Sequence, residues 1–124
     1  MRQASQPMVL VVDDDPDLLN AVSFSLRAEG FMVRACGDCA AAMEAAADCA
    51  PDCLVIDYRL PEMDGLRLGA RLRDMGAGAP LVIITSHPDR QCRRAVERAD
   101  AVIVEKPLLG DVLRDQIQRL LQIA

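Results

Sequence analysis

Aromatic residues are scarce in this sequence, which has two phenylalanines, one tyrosine and no tryptophan among its 124 residues. A hydrophobic core must therefore be aliphatic, and the hydrophobic share of 52% is enough to form one in a chain of single-domain length. No apolar run approaches the roughly 20 residues that cross a bilayer. The polar start MRQASQP is not followed by the apolar segment of a signal peptide. We therefore expect a cytoplasmic protein without a membrane partner.

Positive charge is in deficit, because the formal net charge is −5. Domains that bind nucleic acid normally present a basic face, so we expect no direct contact with nucleic acid. Lysine is rarer still: thirteen of the fourteen basic residues are arginines, and Lys106 is the only lysine. Either the base composition of the gene favours arginine, or Lys106 is kept for a compact ammonium group that arginine cannot replace.

The five cysteines do not form a pattern typical of a zinc site. Cys36 and Cys39 make one CxxC pair, but no second pair follows at zinc-like spacing. The only histidine, His87, is far away in the sequence. We interpret the cysteines as reduced, small apolar residues of the core rather than as a metal or redox site.

Short apolar runs alternate with helical patterns along the chain. Five runs occur, at residues 8–12, 31–35, 53–56, 81–84 and 101–104. They lack strict alternation, which is typical of strands buried on both faces of a parallel sheet. Capping residues between the runs predict helices: Asp15 and Pro16 begin the first, and Pro88 is placed to open the fourth. The pattern predicts an α/β fold with a doubly wound parallel sheet and right-handed crossovers.

Polar residues follow four of the predicted strands, at the edge where such folds place their sites. Residues 13–15 are all aspartates, and Asp57, Thr85 and Lys106 follow the third, fourth and fifth runs. Crowded carboxylates resist ionisation unless a cation is present, and Mg²⁺ prefers oxygen ligands. A carboxylate can act as a nucleophile towards phosphorus, and an ammonium group can pair with a phosphoryl oxygen.

Each of these residues taken singly also has a purely structural explanation. The three successive aspartates suit helix N-caps, Asp15 best of all. Asp57 suits a turn, Thr85 a helix cap, and Lys106 a solvated surface position. Their joint placement at one edge of the sheet favours a functional site.

Four segments carry a family resemblance. VVDDDPDLL, LVIDYRLPEMDGL, VIITS and VEKP resemble, in the right order, the signature segments of response-regulator receiver domains over residues 9–121. The resemblance implies a five-stranded parallel sheet of order 2-1-3-4-5 flanked by five helices. It also implies a two-component signalling domain that receives a phosphoryl group from a sensor histidine kinase or a histidine phosphotransfer protein. Such a domain signals to an output partner and catalyses only its own phosphorylation and dephosphorylation.

The resemblance assigns the phosphorylation chemistry to particular positions. Asp57 matches the phosphoacceptor and also contacts the metal. Asp14 matches the direct Mg²⁺ ligand, and Asp13 matches the acidic partner that holds the ion through water. The backbone carbonyl of Arg59 matches a further ligand of the ion.

Other positions match the residues that respond to the phosphoryl group. Thr85 matches the hydroxyl residue that moves onto it, and Lys106 matches the lysine of the site. Pro107 matches the residue that follows the lysine in a cis peptide. Residues 63–65 match the segment that shapes the loop after the acceptor.

The sequence departs from the family pattern near the switch. Ile103 stands where the family usually has tyrosine or phenylalanine, so Ile103 is the expected switch position. Residues 98–100 replace the usual Ala-Gly-Ala, and the spacing from Thr85 to Lys106 is one residue shorter than usual. His87 occupies a position that varies in the family and tunes the phosphoryl lifetime together with Arg59.

Two other functions compete with this one. A magnesium-dependent phosphohydrolase with an aspartyl nucleophile on the first strand would use residues 13–15, but Asp17 does not fit its motif and there is no room for a cap domain. A degenerate receiver that serves only for docking would not need the intact acidic, hydroxyl and lysine set. We expect a flexible tail over residues 1–7 and a receiver domain over residues 8–124. We favour a stand-alone regulator, the alternative being a receiver cut from a longer chain.

Overall fold

The computed structural model describes residues 6–76, 78–108 and 110–121, so residues 1–5 of the predicted tail lie outside the described residues. Strands and helices alternate five times. The strands are β1 (Met8–Val12), β2 (Met32–Cys36), β3 (Cys53–Asp57), β4 (Leu81–Thr85) and β5 (Ala101–Glu105). The helices are α1 (Pro16–Ala28), α2 (Cys39–Asp48), α3 (Gly65–Asp74), α4 (Arg90–Arg98) and α5 (Val112–Leu121). None of the described helices has the length and apolar character of a membrane span.

All five strands pair in parallel, in the order β2-β1-β3-β4-β5. This confirms the predicted fold class and strand order. The chain runs outwards from β1 to the edge strand β2 and then returns to β3, which pairs with the other side of β1. The switch in direction therefore lies between β1 and β3, and their carboxyl ends are neighbours there.

The sheet separates the buried side chains into two clusters. One cluster, which includes Leu10 and Ile56, lies on the side of α2, α3 and α4. The other, which includes Val11 and Val55, lies on the side of α1 and α5. Both are almost entirely aliphatic, as the shortage of aromatic residues predicts, and Phe24 is 75% exposed.

Several predicted boundaries are wrong by one or two residues. Each strand after β1 extends one residue beyond its apolar run, to Cys36, Asp57, Thr85 and Glu105, and two predicted starts also differ. The second strand begins at Met32 rather than at Phe31, because the Phe31 amide donates to the Leu26 carbonyl and belongs to the turn that ends α1. The fourth helix begins at Arg90 rather than near Pro88, because the side chain of Asp89 accepts a hydrogen bond from the Cys92 amide at 2.7 Å and caps the helix. By contrast, Asp15 caps α1 as predicted.

The cysteines behave as core residues. All five are free thiols, and four of them are buried. Burial raises the pKa of Cys36 and of Cys39 to about 11 and that of Cys53 to about 12. These thiols stay protonated at neutral pH, and a protonated thiol is neither a metal ligand nor a nucleophile.

The thiol of Cys53 predicts a loss of stability in alkali. Its pKa is raised from about 8.5 in the unfolded chain to about 12 in the folded one. Its contribution to stability is therefore complete below the unfolded pKa and declines as the pH rises towards the folded pKa. We expect the free energy of unfolding of the wild type, minus that of Cys53→Ala, to fall by about 2 kcal/mol between pH 7.5 and about pH 10.

Urea unfolding at the two pH values measures this difference, in which the other ionisable groups cancel. Parallel pH profiles for the two proteins would show that the Cys53 thiol ionises as easily in the folded protein as in the unfolded one.

Candidate functional site

The carboxyl ends of four strands meet at one edge of the sheet. Asp13 directly follows β1, Asp57 and Thr85 end β3 and β4, and Lys106 directly follows β5. Backbone hydrogen bonds hold these ends in register: the Lys106 amide donates to the Thr85 carbonyl at 2.9 Å, and the Asp13 amide donates to the Cys36 carbonyl at 3.1 Å. The strands themselves therefore fix the relative positions of these functional groups.

Three of these side chains are buried, although they are polar. Asp13, Asp57 and Thr85 are 4%, 7% and 4% exposed. Ser23 is the only other buried polar residue in the described part of the chain. Burying a carboxylate costs free energy unless it is paired or hydrogen-bonded. Burial of these carboxylates therefore lowers the stability of the fold at this edge, which is typical of a functional site.

The carboxylates at this edge form an acidic cluster. Asp13, Asp14 and Asp57 each offer an oxygen atom, and these oxygens lie within 4.8 Å of one another. Asp14 is exposed, so the cluster opens to solvent on its side. Three hard oxygen donors at this spacing suit a divalent cation such as Mg²⁺.

The pKa of Asp13 is raised, mainly by burial and further by the negative charges of Asp57 and Asp14. Two contacts act in the opposite direction: the Asp15 amide donates to Asp13 Oδ1 at 2.9 Å, and Lys106 is close by. The sequence predicts Asp15 as a helix cap, and the contact of its amide with Asp13 is a second role that this prediction does not contain. The spacing of two residues between the carboxylate and the amide is the signal of an Asx turn.

Lys106 supplies the positive charge of the site. Its Nζ lies 3.3 Å from Asp57 Oδ1 and 3.9 Å from Asp13 Oδ2. The only lysine of the sequence therefore contacts both buried carboxylates. The Lys106–Pro107 peptide bond is cis, as the family resemblance implies.

The loop after Asp57 is held tightly against β3. The Gly65 amide donates to the Tyr58 carbonyl at 2.7 Å, and Asp64 caps α3 by accepting from the Arg67 amide at 2.8 Å. A Cβ atom on Gly65 would overlap the carbonyl oxygen of Asp57. Arg59 lies in this loop, where it forms an isolated bridge with Asp64. The absence of a side chain at Gly65 thus lets the loop close behind the acidic cluster.

The remaining predicted residues are Thr85, Arg59, His87 and Ile103. The Thr85 hydroxyl donates to the Ser86 carbonyl at 3.2 Å. Arg59 and His87 line the same open pocket beside Thr85, and His87 has a left-handed backbone with φ of 49°. Ile103 is half-buried on β5, where it pairs with Ile83 and packs against the cluster on the side of α2, α3 and α4.

Comparison with known proteins decides the family. Residues 9–118 match the response regulator receiver domain family. The chain belongs to this family. Receiver domains are modules of two-component signalling, and phosphorylation on an aspartate and the use of Mg²⁺ are general properties of the family. The resemblance stated from the sequence is confirmed over nearly the whole chain.

Relatives of this receiver domain include transcriptional regulators. It is 43% identical to the probable transcriptional regulatory protein TcrX of Mycobacterium tuberculosis, over 69% of this chain and 38% of that protein. It is 32% identical to the C4-dicarboxylate transport transcriptional regulatory protein DctD of Pseudomonas aeruginosa, over 96% of this chain and 26% of that protein. The chain thus spans well under half the length of these relatives.

A solved structure shows the same fold. The chemotaxis protein CheY4 of Vibrio cholerae superposes with a TM-score of 0.88 at 23% identity, over 94% of this chain and 99% of that one. At this identity the likeness establishes the architecture of the receiver domain and no more.

The close contact at Gly65 predicts that alanine is not tolerated there. Alanine is the better helix former by roughly 1 kcal/mol, but its Cβ must displace the Asp57 carbonyl. We expect Gly65→Ala to lower the free energy of unfolding by about 1–3 kcal/mol and to shift the amide resonances of Asp57 and Tyr58. Gly37→Ala is the control, because a Cβ there meets nothing within 4 Å. Equal effects of the two substitutions on urea unfolding would contradict the assignment of a close contact at Gly65.

Proposed function

We propose that this receiver domain accepts a phosphoryl group on Asp57. The observation that carries the proposal is the position of the Asp57 carboxylate. It is buried at the end of the central strand β3, 3.3 Å from the Lys106 ammonium and beside Asp13 and Asp14. Among these three aspartates it is the one on β3, where the family places its acceptor, and the phosphohydrolase alternative would need the nucleophile on β1 instead.

The acidic cluster fits Mg²⁺, because all its donors are carboxylate oxygens and their negative charge exceeds that of the single lysine nearby. Asp13, Asp14 and Asp57 would hold the ion, together with the backbone carbonyl of Arg59. Bound Mg²⁺ supplies positive charge that offsets both the carboxylates and the oxygens of an incoming phosphoryl group.

The residues of the chain then have separate tasks. A carboxylate oxygen of Asp57 forms a bond to phosphorus while the bond between phosphorus and the donor nitrogen breaks, and the histidine side chain of the donor leaves. The Lys106 ammonium pairs with a phosphoryl oxygen in place of the carboxylate oxygen it now contacts. The Thr85 hydroxyl now donates to the neighbouring Ser86 carbonyl, and it can rotate to donate to another phosphoryl oxygen.

This chemistry implies particular partners and a reaction confined to the protein's own aspartate. The donor is a sensor histidine kinase or a histidine phosphotransfer protein, and the product signals to an output partner from the cytoplasm. The domain turns over no external substrate; water later attacks its own acyl phosphate. Arg59 and His87 tune that step, since they line the open pocket beside Thr85. Ile103 serves as the switch position, where a β-branched side chain with few rotamers replaces a ring.

Phosphorylation should depend on Asp57 alone. We expect Asp57→Asn to abolish the mass gained on incubation with acetyl phosphate and Mg²⁺, because an amide is not a nucleophile here. Asp14→Ala should weaken Mg²⁺ binding and slow the labelling. Asp48→Asn is the matched control, since Asp48 is an exposed aspartate at the end of α2 that pairs with Arg34 and is not part of the cluster. Mass spectrometry of the intact proteins measures the outcome, and undiminished labelling of Asp57→Asn would sink the assignment.

Lys106→Arg should not be a conservative change. A forked guanidinium is larger than an ammonium and presents its donors in a plane, whereas the site offers two carboxylates 3.3 and 3.9 Å from a single nitrogen. We expect a fall in the labelling rate of about tenfold or more, equivalent to about 1.4 kcal/mol, with Mg²⁺ affinity largely kept. Arg119→Lys is the control, because it exchanges the same two residue types at an exposed position of α5. A wild-type rate in Lys106→Arg would mean that any cation suffices at this position.

A further inference from the structure

The inner face of α3 carries three residues spaced four apart. Gly65, Gly69 and Arg73 follow one another at this interval, so they lie on the same side of the helix. Both glycines are buried and Arg73 is half-buried, whereas Arg67 and Arg71 are exposed. Glycine is unfavourable in the interior of a helix, so the presence of Gly69 needs an explanation in the packing.

The two glycines bring α3 against β3 and β4. A Cβ atom on Gly65 would overlap the Asp57 carbonyl oxygen, and one on Gly69 would lie 2.6 Å from Cδ2 of Leu81. Leu81 begins β4 and is 1% exposed, so its side chain has little room to give way. The backbone of α3 therefore rests directly on both strands, and packing this close transmits a displacement instead of absorbing it.

Arg73 connects the end of α3 to two segments at the edge of the sheet opposite the acidic cluster. Its Nη1 donates to the Ala99 carbonyl at 2.8 Å, and its Nη2 lies 3.4 Å from the Ala79 carbonyl oxygen and 3.5 Å from that of Asp100. Ala79 lies shortly before β4, and the other two residues form the turn between α4 and β5. One guanidinium group therefore links three segments of the chain.

The turn that Arg73 contacts is short and contains a strained residue. Only Ala99 and Asp100 separate the end of α4 from the start of β5. Asp100 has a left-handed backbone with φ of 57°, a conformation that glycine usually supplies at the end of a helix. The last carbonyl groups of a helix also lack partners within it, and Arg73 provides one for Ala99. The shape of this turn therefore depends on a side chain of α3.

We propose that α3 is a rigid connector between the acceptor and the α4–β5 turn, with Arg73 as the positioning residue at its far end. When Asp57 and the Arg59 carbonyl take up a metal ion and a phosphoryl group, the loop after Asp57 shifts and displaces Gly65. The helix moves as one body, and the Arg73 guanidinium moves the carbonyl groups of the turn with it. This coupling rests on the proposed function, because it begins with the ligand at Asp57.

The coupling has a consequence for the affinity of the site. Arg73 holds the turn in its present position, so a ligand at Asp57 must displace a turn that is held in place. Loss of the guanidinium removes that resistance, and by linkage the ligand then binds more tightly. A residue that only stabilised the turn would, when lost, leave the affinity unchanged or weaken it.

Beryllofluoride with Mg²⁺, a stable mimic of the phosphoryl group, tests the connector on the full chain. In 15N-labelled wild type we expect amide shifts at Asp57 and Thr85 and also at residues 99–101. Arg73→Met keeps an unbranched side chain but has no donor, so it should lose at least about half of the shift at residues 99–101 and keep the other two. Its dissociation constant for beryllofluoride at saturating Mg²⁺ should fall by about fivefold or more.

Two further variants serve as controls. Arg71→Met makes the same change on the exposed side of α3, and it should alter the dissociation constant by less than about twofold. Arg73→Lys retains a donor for the nearest carbonyl, so it should keep the shift at Ala99 and reduce that at Asp100. Circular dichroism shows whether each variant is folded. If Arg73→Met does not fold, the comparison of Arg73→Lys with the wild type decides the question.

Three results would overturn the connector. One is a wild type in which Asp57 and Thr85 respond to beryllofluoride but residues 99–101 do not. Another is an Arg73→Met protein with unchanged shifts and unchanged affinity. The third is an equal effect of Arg71→Met. A protein that is not labelled and does not bind beryllofluoride at Asp57 would instead disprove the phosphoacceptor, and the connector with it, so the two failures can be distinguished.

Discussion

The contact between the Lys106 ammonium and two buried carboxylates is the constraint on which the site depends. Asp13 and Asp57 lie at the ends of neighbouring central strands, and burial together with the nearby charge of Asp57 raises the pKa of Asp13. One compact cation, 3.3 and 3.9 Å away, offsets part of that cost. The balance remains negative, and this residual charge makes the edge of the sheet receptive to a divalent ion and, through it, to a phosphoryl group.

The parallel sheet fixes the distances between the side chains of the site. Each functional side chain either ends a strand or follows one, and the strands are fixed in register by ladder hydrogen bonds such as that from the Lys106 amide to the Thr85 carbonyl. A group carried on a rigid strand end can be held to a fraction of an ångström, whereas a free loop could not do so. The loop after Asp57 is anchored by Asp64 and by the close approach of Gly65.

The sequence predicted the strands and the acidic edge well, because both depend on local patterns. Runs of aliphatic residues mark the strands, and Asp13, Asp57 and Lys106 occur where those runs end. It predicted the less local features poorly. The start of α4 depends on Asp89, whose capping role competes with those of its polar neighbours, and nothing in the sequence distinguishes them. The hydrogen bond from the Asp15 amide to Asp13, and the lack of room at Gly65, depend on how two segments meet in space.

The division of the core by the sheet has a consequence for how this protein can change. Side chains such as Val11 and Val55 face α1 and α5, while Leu10 and Ile56 face the other helices, so the backbone of the sheet separates the two clusters. Substitutions in clusters that do not touch are nearly additive in free energy. One side of the molecule can therefore diverge to suit a new partner without forcing compensating changes on the other. Only the strand ends, which serve both sides, are bound to remain as they are.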